Sequence, residues 1–153
     1  MEEQLKSAKL KALSLLNHMD RTEAQLRRKL KEKGYEEKVI NQTLEYVKSF
    51  GYINDLSYAE RYILGKQESK SRKEIYAGLC QKGISREIIQ QAMEQSYDAE
   101  SEEEAILRIC EKKHFSPETS TEAEKKKIFD YLLRKGFRVE EVRQVIQVSS
   151  WNA

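Results

Sequence analysis

The sequence predicts an all-α fold built from three tandem three-helix, helix-turn-helix-like repeats stacked into an elongated array. Two observations carry that prediction. The first is one phrase written three times: an apolar residue, three positions, Leu, two positions, then Lys-Gly and a further large apolar residue. It occurs at Leu26, Leu30 and Lys33-Gly34-Tyr35, at Ile75, Leu79 and Lys82-Gly83-Ile84, and at Ile128, Leu132 and Lys135-Gly136-Phe137. The three glycines are 49 and 53 residues apart, so the copies span the chain. Repeats of that length are stacked supersecondary units, which present surfaces to partners more often than they build catalytic pits. The second observation is a start signal in front of each phrase. Thr22 with Gln25, Ser71 with Glu74 and Thr121 with Glu124 each have the form of a capping box.

Each copy can be justified element by element. The paired apolar residues share one helix face, the lysine suits the negative end of the helix dipole, and the glycine can take the left-handed conformation that ends a helix. Cap to glycine is 12 residues in the first two copies and 15 in the third, a difference of about one turn. A second helix follows each glycine, with stripes at Val39, Ile40, Thr43, Leu44 and Val47, at Ile88, Ile89, Ala92 and Met93, and at Val139, Val142, Val145 and Ile146. Another precedes each cap, on Leu10, Leu13 and Leu16, on Leu56, Ala59, Tyr62 and Ile63, and on Ala105, Ile106 and Ile109. Asn54 or Asp55 is suited to start the middle one of these, and Ser101 with Glu104 the last. Nine helices and no strand result. The repeats are assigned to residues 1–50, 51–98 and 99–153. Gly51-Tyr52 marks the first joint, and Pro117 places a linker at His114–Ser120.

Composition narrows the class. Apolar residues at 39% beside 35% charged residues fit a folded helical protein, not a disordered one. The charged start Met-Glu-Glu-Gln-Leu-Lys is not that of a signal peptide, and no apolar run reaches membrane-spanning length. Two cysteines do not make a disulfide framework, so a reduced, cytoplasmic setting is expected.

The net charge of +2 is no nucleic-acid signature, but the charges are clustered. Arg27, Arg28, Lys29, Lys31 and Lys33 form one basic group; Lys66, Lys70, Arg72 and Lys73 a second; Lys125 to Lys127 a third. Acidic residues collect at Glu100–Glu104. These read either as solvated faces of surface helices or as a basic stripe facing a polyanion or an acidic protein. The eight tyrosines read in the same two ways, as rims of the core or as interface anchors.

Enzyme signatures fail. Gly78 and Gly83 have phosphate-loop spacing, but Ile84 and Ser85 stand where Lys and Ser/Thr belong. Cys110 and His114 are at i and i+4 and could share a metal on one helix face, but the remaining ligands would have to be Cys80 and His18 from other repeats, without the short paired spacing of zinc sites. Glu36-Glu37 and Glu140-Glu141 fall in first helical turns, where the dipole explains them. The chain is therefore read as a non-enzyme with no catalytic residue, no metal and no cofactor.

Several linked motifs resemble the RecX family of recombinase regulators. They are Asp20-Arg21-Thr22-Glu23 with Gln25-Leu26, Lys29-Leu30 and Lys33-Gly34; then Gly51-Tyr52-Ile53-Asn54-Asp55 with Tyr58-Ala59; then Ile75, Leu79, Lys82-Gly83-Ile84, Ile88 and Ala92. The resemblance spans about residues 5–148, with Asn54 in place of a family aspartate and the third repeat least typical. It implies tandem three-helix units that bind the RecA–single-stranded-DNA filament and inhibit its ATP hydrolysis, strand exchange and coprotease activity. The residues assigned to that contact are Arg21, Arg27, Arg28, Lys31, Lys66, Lys70, Arg72 and Lys73, with weak non-specific contact to single- or double-stranded DNA allowed by the same charge. A monomer is expected because the repeats bury their own apolar faces. The rival readings are a direct DNA-binding helix-turn-helix regulator and a plain helical-repeat adaptor.

Overall fold

In the computed structural model of the chain, residues 2–98 and 100–147 are described, residues 100 and 101 by their backbone. The described residues form nine α-helices and no strand: α1 (Glu2–His18), α2 (Glu23–Glu32), α3 (Glu37–Ser49), α4 (Asp55–Lys66), α5 (Arg72–Gln81), α6 (Arg86–Ser96), α7 (Glu100–Lys112), α8 (Glu122–Lys135) and α9 (Val139–Ile146). By contact they gather into two compact units. One comprises Met1–Arg61 and Leu79–Ala92, the other Tyr62–Gly78 and Met93–Ala153, so the middle three helices contribute to both.

The repeated phrase does the same work each time. All three predicted capping boxes form: the Thr22, Ser71 and Thr121 hydroxyls accept from the N–H of Gln25, Glu74 and Glu124, whose side chains accept from the cap N–H in return. Gly34, Gly83 and Gly136 take φ of 90°, 83° and 100°. Behind each, the N–H of Tyr35, Ile84 or Phe137 reaches the carbonyl of Leu30, Leu79 or Leu132 at 3.2–3.3 Å. That six-residue closure satisfies carbonyls the helix end would otherwise leave bare. Gly51 ends α3 in the same way, with Tyr52 N–H on the Val47 carbonyl. His114 does so for α7 at φ 56°, without the freedom of a glycine.

In the first unit the core gathers Ala12, Leu26, Leu30, Ile40, Leu44, Val47 and Ile53. The α1 stripe differs from the one expected. Ala8 and Ala12 are its fully buried residues, Leu13 and Leu16 are partly buried, and Leu10 is 61% exposed. Small residues at i and i+4 let α1 lie close along α3, and that approach turns Leu10 outward. In α4, Asn54 supplies the cap, accepting from Ser57 N–H at 3.1 Å. Asp55 instead crosses to α2, where it accepts from Glu23 N–H at 2.9 Å. Burial pushes the Asp55 carboxyl up, a rise that this hydrogen bond partly offsets.

In the second unit the core gathers residues of α7, α8 and α9, including Ile106, Cys110, Phe129, Leu132, Val142 and Ile146. The acidic run before it is not uniformly a solvated face. Glu102 is fully buried, accepting from the Arg138 N–H (3.0 Å) and the Tyr97 hydroxyl (3.2 Å), with the Arg138 guanidinium 3.4 Å away. A carboxylate is tolerated there because each oxygen has a partner. α7 already includes Ser101, so Ser101 is not the residue ahead of the helix; its side chain lies outside the described part.

Each unit also contains one junction between helix ends. In the first, the buried Thr22 hydroxyl at the start of α2 donates to the Lys82 carbonyl behind α5 at 2.6 Å. In the second, the buried Ser71 hydroxyl at the start of α5 donates to the Lys135 carbonyl at the end of α8 at 2.7 Å. The glycine of each phrase permits this approach. A Cβ on Gly83 would collide with Ala24, and one on Gly136 would come within 2.9 Å of Lys73 Cβ. Lys135 Nζ also pairs with Glu74 at 3.2 Å.

Substitutions at four positions test these contacts by equilibrium unfolding. Gly34→Ala meets no neighbour within 4 Å and should cost about 1–2 kcal/mol for its left-handed φ alone. Gly83→Ala adds the Ala24 collision and should cost about 2–4 kcal/mol; equal losses would contradict the junction. Glu102→Ala, which strands Tyr97 and Arg138 N–H, should cost about 2–3 kcal/mol, with Glu102→Gln retaining part of it. For Asp55, a raised folded pKa means the native state holds its proton more tightly than the unfolded chain. Wild-type stability from this group is therefore greatest below the ordinary carboxyl value and falls as pH rises through the folded value. Asp55→Asn should gain on wild type between pH 3 and pH 7 in urea melts.

Candidate interaction surface

α2 buries Leu26 and Leu30, which leaves its basic residues on the outer side. There Arg27, Arg28 and Lys31 line a shallow groove together with Ala24, Gly83, Ser85 and Ile88, with Glu23 and Asp55 also at its edge. The three basic side chains are not equivalent. Arg27 Nη1 is held at 2.9 Å by both Glu37 and Asn41. Arg28 and Lys31 are exposed and have no ion-pair partner among the described residues. Ser85, whose hydroxyl accepts from Ile88 N–H at 3.3 Å, brings the positive end of α6 to the same groove. Two free cations, a helix start and one apolar side chain suit an acidic segment or a phosphate-bearing chain.

Arg21 stands apart from this groove. Its Nε donates to the Leu15 carbonyl at 3.3 Å, and it lines a small polar depression with Asp20, Tyr52, Asn54, Ser57, Tyr58 and Arg61. Asp20 pairs there with Arg61 at 3.0 Å. The depression thus joins the two motif segments at 20–23 and 51–59. Arg61 was not among the residues singled out from the sequence, although its place two residues beyond Tyr58-Ala59 was a signal. Beside it lies an aromatic group. Phe50 and Tyr52 are stacked at 5.5 Å and more than half exposed, Tyr46 meets Phe50 edge-on at 5.1 Å, and Lys9 lies 4.3 Å over Tyr46. Tyr52 was noted from the sequence and Phe50 was not.

The remaining four basic candidates belong to the second unit. Lys66 lies 5.9 Å over the Tyr62 ring, Arg72 is 5.4 Å over Tyr97, Lys70 is half-buried, and Lys73 packs its stem at Gly136. Arg72 and Lys73 occupy the first turn of α5, where a cation opposes the helix dipole. Arg72 meets Tyr97 and the Lys73 stem seats Gly136, but neither charge has an ion-pair partner among the described residues, which makes both charged ends candidates for an outside partner. A second groove in this unit is lined by Lys113, Phe115, Glu124, Lys127, Tyr131 and Arg134; of its basic residues only Lys127 belongs to a cluster noted in the sequence, since Lys113 and Arg134 stand only in pairs with Lys112 and Lys135.

Among the described residues no three His, Cys, Asp or Glu side chains are grouped to hold a metal ion. The Cys110 and His114 pair does not share a helix face, because α7 ends at Lys112 and His114 has left the helix. Cys110 is buried, which pushes its thiol up, whereas Cys80 is exposed. Gly78 sits inside α5 with the Tyr62 hydroxyl packed on it, so the Gly78–Gly83 spacing is that of a helix and its cap. No described helix is long and apolar enough to cross a membrane.

Family profiles match three consecutive stretches: RecX first three-helix domain at residues 8–46, second at 54–93 and third at 100–146. A protein named Regulatory protein RecX from Caldanaerobacter subterraneus subsp. tengcongensis is 35% identical over 145 residues, covering 94% of this chain and 71% of its own length. One of the same name from Clostridium perfringens strain 13 is 33% identical over 139 residues, covering 89% of this chain and 65% of its own. The chain thus spans about two thirds of the length of these relatives. The crystal structure of RecX from Lactobacillus salivarius matches with a TM-score of 0.80 at 24% identity, over 96% of this chain and 97% of that one. A second RecX crystal structure matches with a TM-score of 0.74 at 26% identity, over 94% and 71%. With three family domains in order and relatives above 30% identity over most of its length, the chain belongs to the RecX family of regulatory proteins.

Proposed function

We propose that this chain is a cytoplasmic, non-catalytic regulator that binds the RecA–single-stranded-DNA filament and inhibits its ATPase, strand-exchange and coprotease activities. The observation that carries the reading is the run of three RecX domains along residues 8–146. The surface chemistry supports it. Arg28 and Lys31 in the first unit, and Arg72 and Lys73 in the second, are exposed cations without an ion-pair partner among the described residues. Several modest contacts on one chain add up when the partner is a repeating filament, since each later contact forms at high effective concentration. Weak, sequence-independent contact with filament DNA is consistent with the same charges.

Sequence-specific duplex recognition is not favoured. The outer face of α3 alternates Glu37, Lys38, Asn41, Glu45 and Lys48, so it lacks a coherent set of side chains for base edges. In dilute solution the regulator acts as a monomer.

The test is RecA's single-stranded-DNA-dependent ATPase, titrated with the chain at two salt concentrations. Wild type should inhibit, and less so at higher salt. Arg28→Glu with Lys31→Glu, which spares the Arg27–Glu37–Asn41 cluster, should raise the half-inhibiting concentration by about tenfold or more. Unchanged inhibition by the folded double variant would remove the groove from the contact, and no effect of wild type on RecA would remove the function.

A further inference from the structure

The two helix-end junctions within the chain follow one rule. The start of a capped helix in one repeat receives the Lys-Gly end of the corresponding helix in the next. Thr22 takes the Lys82 carbonyl and Ala24 takes the face of Gly83; Ser71 takes the Lys135 carbonyl and Lys73 takes the face of Gly136. Three helices of this kind leave one start and one end without such a partner among the described residues, and those are the start of α8 and the end of α2.

Both free ends carry the complementary chemistry. Thr121 is exposed, its oxygen accepts from Glu124 N–H, its hydroxyl lies beside the Glu124 carboxylate, and no carbonyl of another helix end meets it among the described residues. Ala123 stands where Ala24 stands in the first junction, and it is exposed. Glu124 stands where Glu74 meets Lys135, and Lys33 occupies the matching lysine position. Hydrogen bonds from the Thr121 N–H and hydroxyl side hold the Glu124 carboxyl below its usual range, so it is ionised for such a pair. Gly34 keeps its left-handed φ of 90° with no neighbour within 4 Å of where a Cβ would be, leaving its face open. The charges match as well: Glu122 and Glu124 lie in the first turn of α8, and Lys29 and Lys31 in the last turn of α2 just before Lys33.

We propose that copies of this chain associate end to end, the Lys33-Gly34 end of α2 in one copy seating on the Thr121–Glu124 start of α8 in the next. The Thr121 hydroxyl donates to the Lys33 carbonyl, Ala123 covers Gly34, and Lys33 pairs with Glu124. The contact is heterologous, so it propagates copy after copy and does not stop at a dimer. Two starts of α8 do not pair with each other, because both are acidic. The junction is small and polar, with an expected Kd on the order of 1 mM, which accords with a monomer in dilute solution. Copies arrayed side by side on a polymeric partner would meet at far higher effective concentration.

The experiment mixes equal amounts of ¹⁴N- and ¹⁵N-labelled full-length chain at about 10 μM, well below the expected Kd, and at about 1 mM, close to it. A zero-length carbodiimide then joins amines to carboxylates in direct contact, and mass spectrometry reads the products. The expected result is a Lys33–Glu124 peptide pair of mixed isotope at the higher concentration only. By sedimentation, the weight-average mass should rise about 2.2-fold over the same range, as open-ended association at that Kd requires. Glu124→Gln keeps the capping acceptor and should abolish the cross-link. Ala123→Arg, at an exposed helical position, should hold the mass at one chain while circular dichroism stays native. The proposal fails if Lys33–Glu124 pairs are absent while other cross-links form, if they occur only within one isotope, or if Ala123→Arg associates as wild type does. None of these readouts involves RecA, so failure here and failure of the regulatory function are separate results.

Discussion

The hydroxyl at the start of each capped helix is the group on which the rest of the structure depends. Thr22 and Ser71 each make two bonds with one oxygen, accepting from an N–H of their own first turn and donating to a carbonyl at the end of a helix some 60 residues away. A helix start has spare donors and a helix end has spare acceptors, so abutting the two satisfies both with almost no apolar area. The dipoles add attraction across the junction, positive end to negative end. Such a contact is directional. It fixes the register of one repeat on the next where packing of Leu and Ile stripes alone would permit sliding.

That arrangement explains why the phrase is written so strictly. The residue after the lysine must be glycine for two independent reasons: its φ is left-handed, and the neighbouring helix start occupies the space of a Cβ. The cap must be Ser or Thr, since Asp or Asn would cap the helix yet lack the hydroxyl donor that reaches the second carbonyl. The glycine at 34 satisfies only the first reason, and the threonine at 121 meets no second helix end among the described residues. Those two positions keep the full chemistry of the junction on an open surface.

Function rests on what the helices leave outside. Because the helices bury their apolar stripes within the two units, the outward faces are free to carry charge, and the charge is not spread evenly. α2 offers Arg28 and Lys31 beside the start of α6, while α5 carries Arg72 and Lys73 against its own dipole. Membership of the RecX family gives these faces a context, and their chemistry suits an acidic or phosphate-bearing partner.

Residues close in sequence and locked by backbone geometry were readable without coordinates. The helices, the three capping boxes, the left-handed glycines and the buried Leu26, Leu79 and Leu132 all follow from i to i+5 relations that no distant contact overrides. What required tertiary structure were relations across the chain. Leu10 faces outward because Ala8 and Ala12 bring α1 onto α3, and Glu102 is buried because Tyr97 and Arg138 arrive to satisfy it. Arg21 joins Arg61 and not Arg27, and Thr22 finds Lys82. The sequence by itself determined the repeating unit, since helix starts and stops are local hydrogen-bond chemistry. Only the folded chain decided which charges are free and which ends are joined, since burial and pairing depend on neighbours that arrive from tens of residues away.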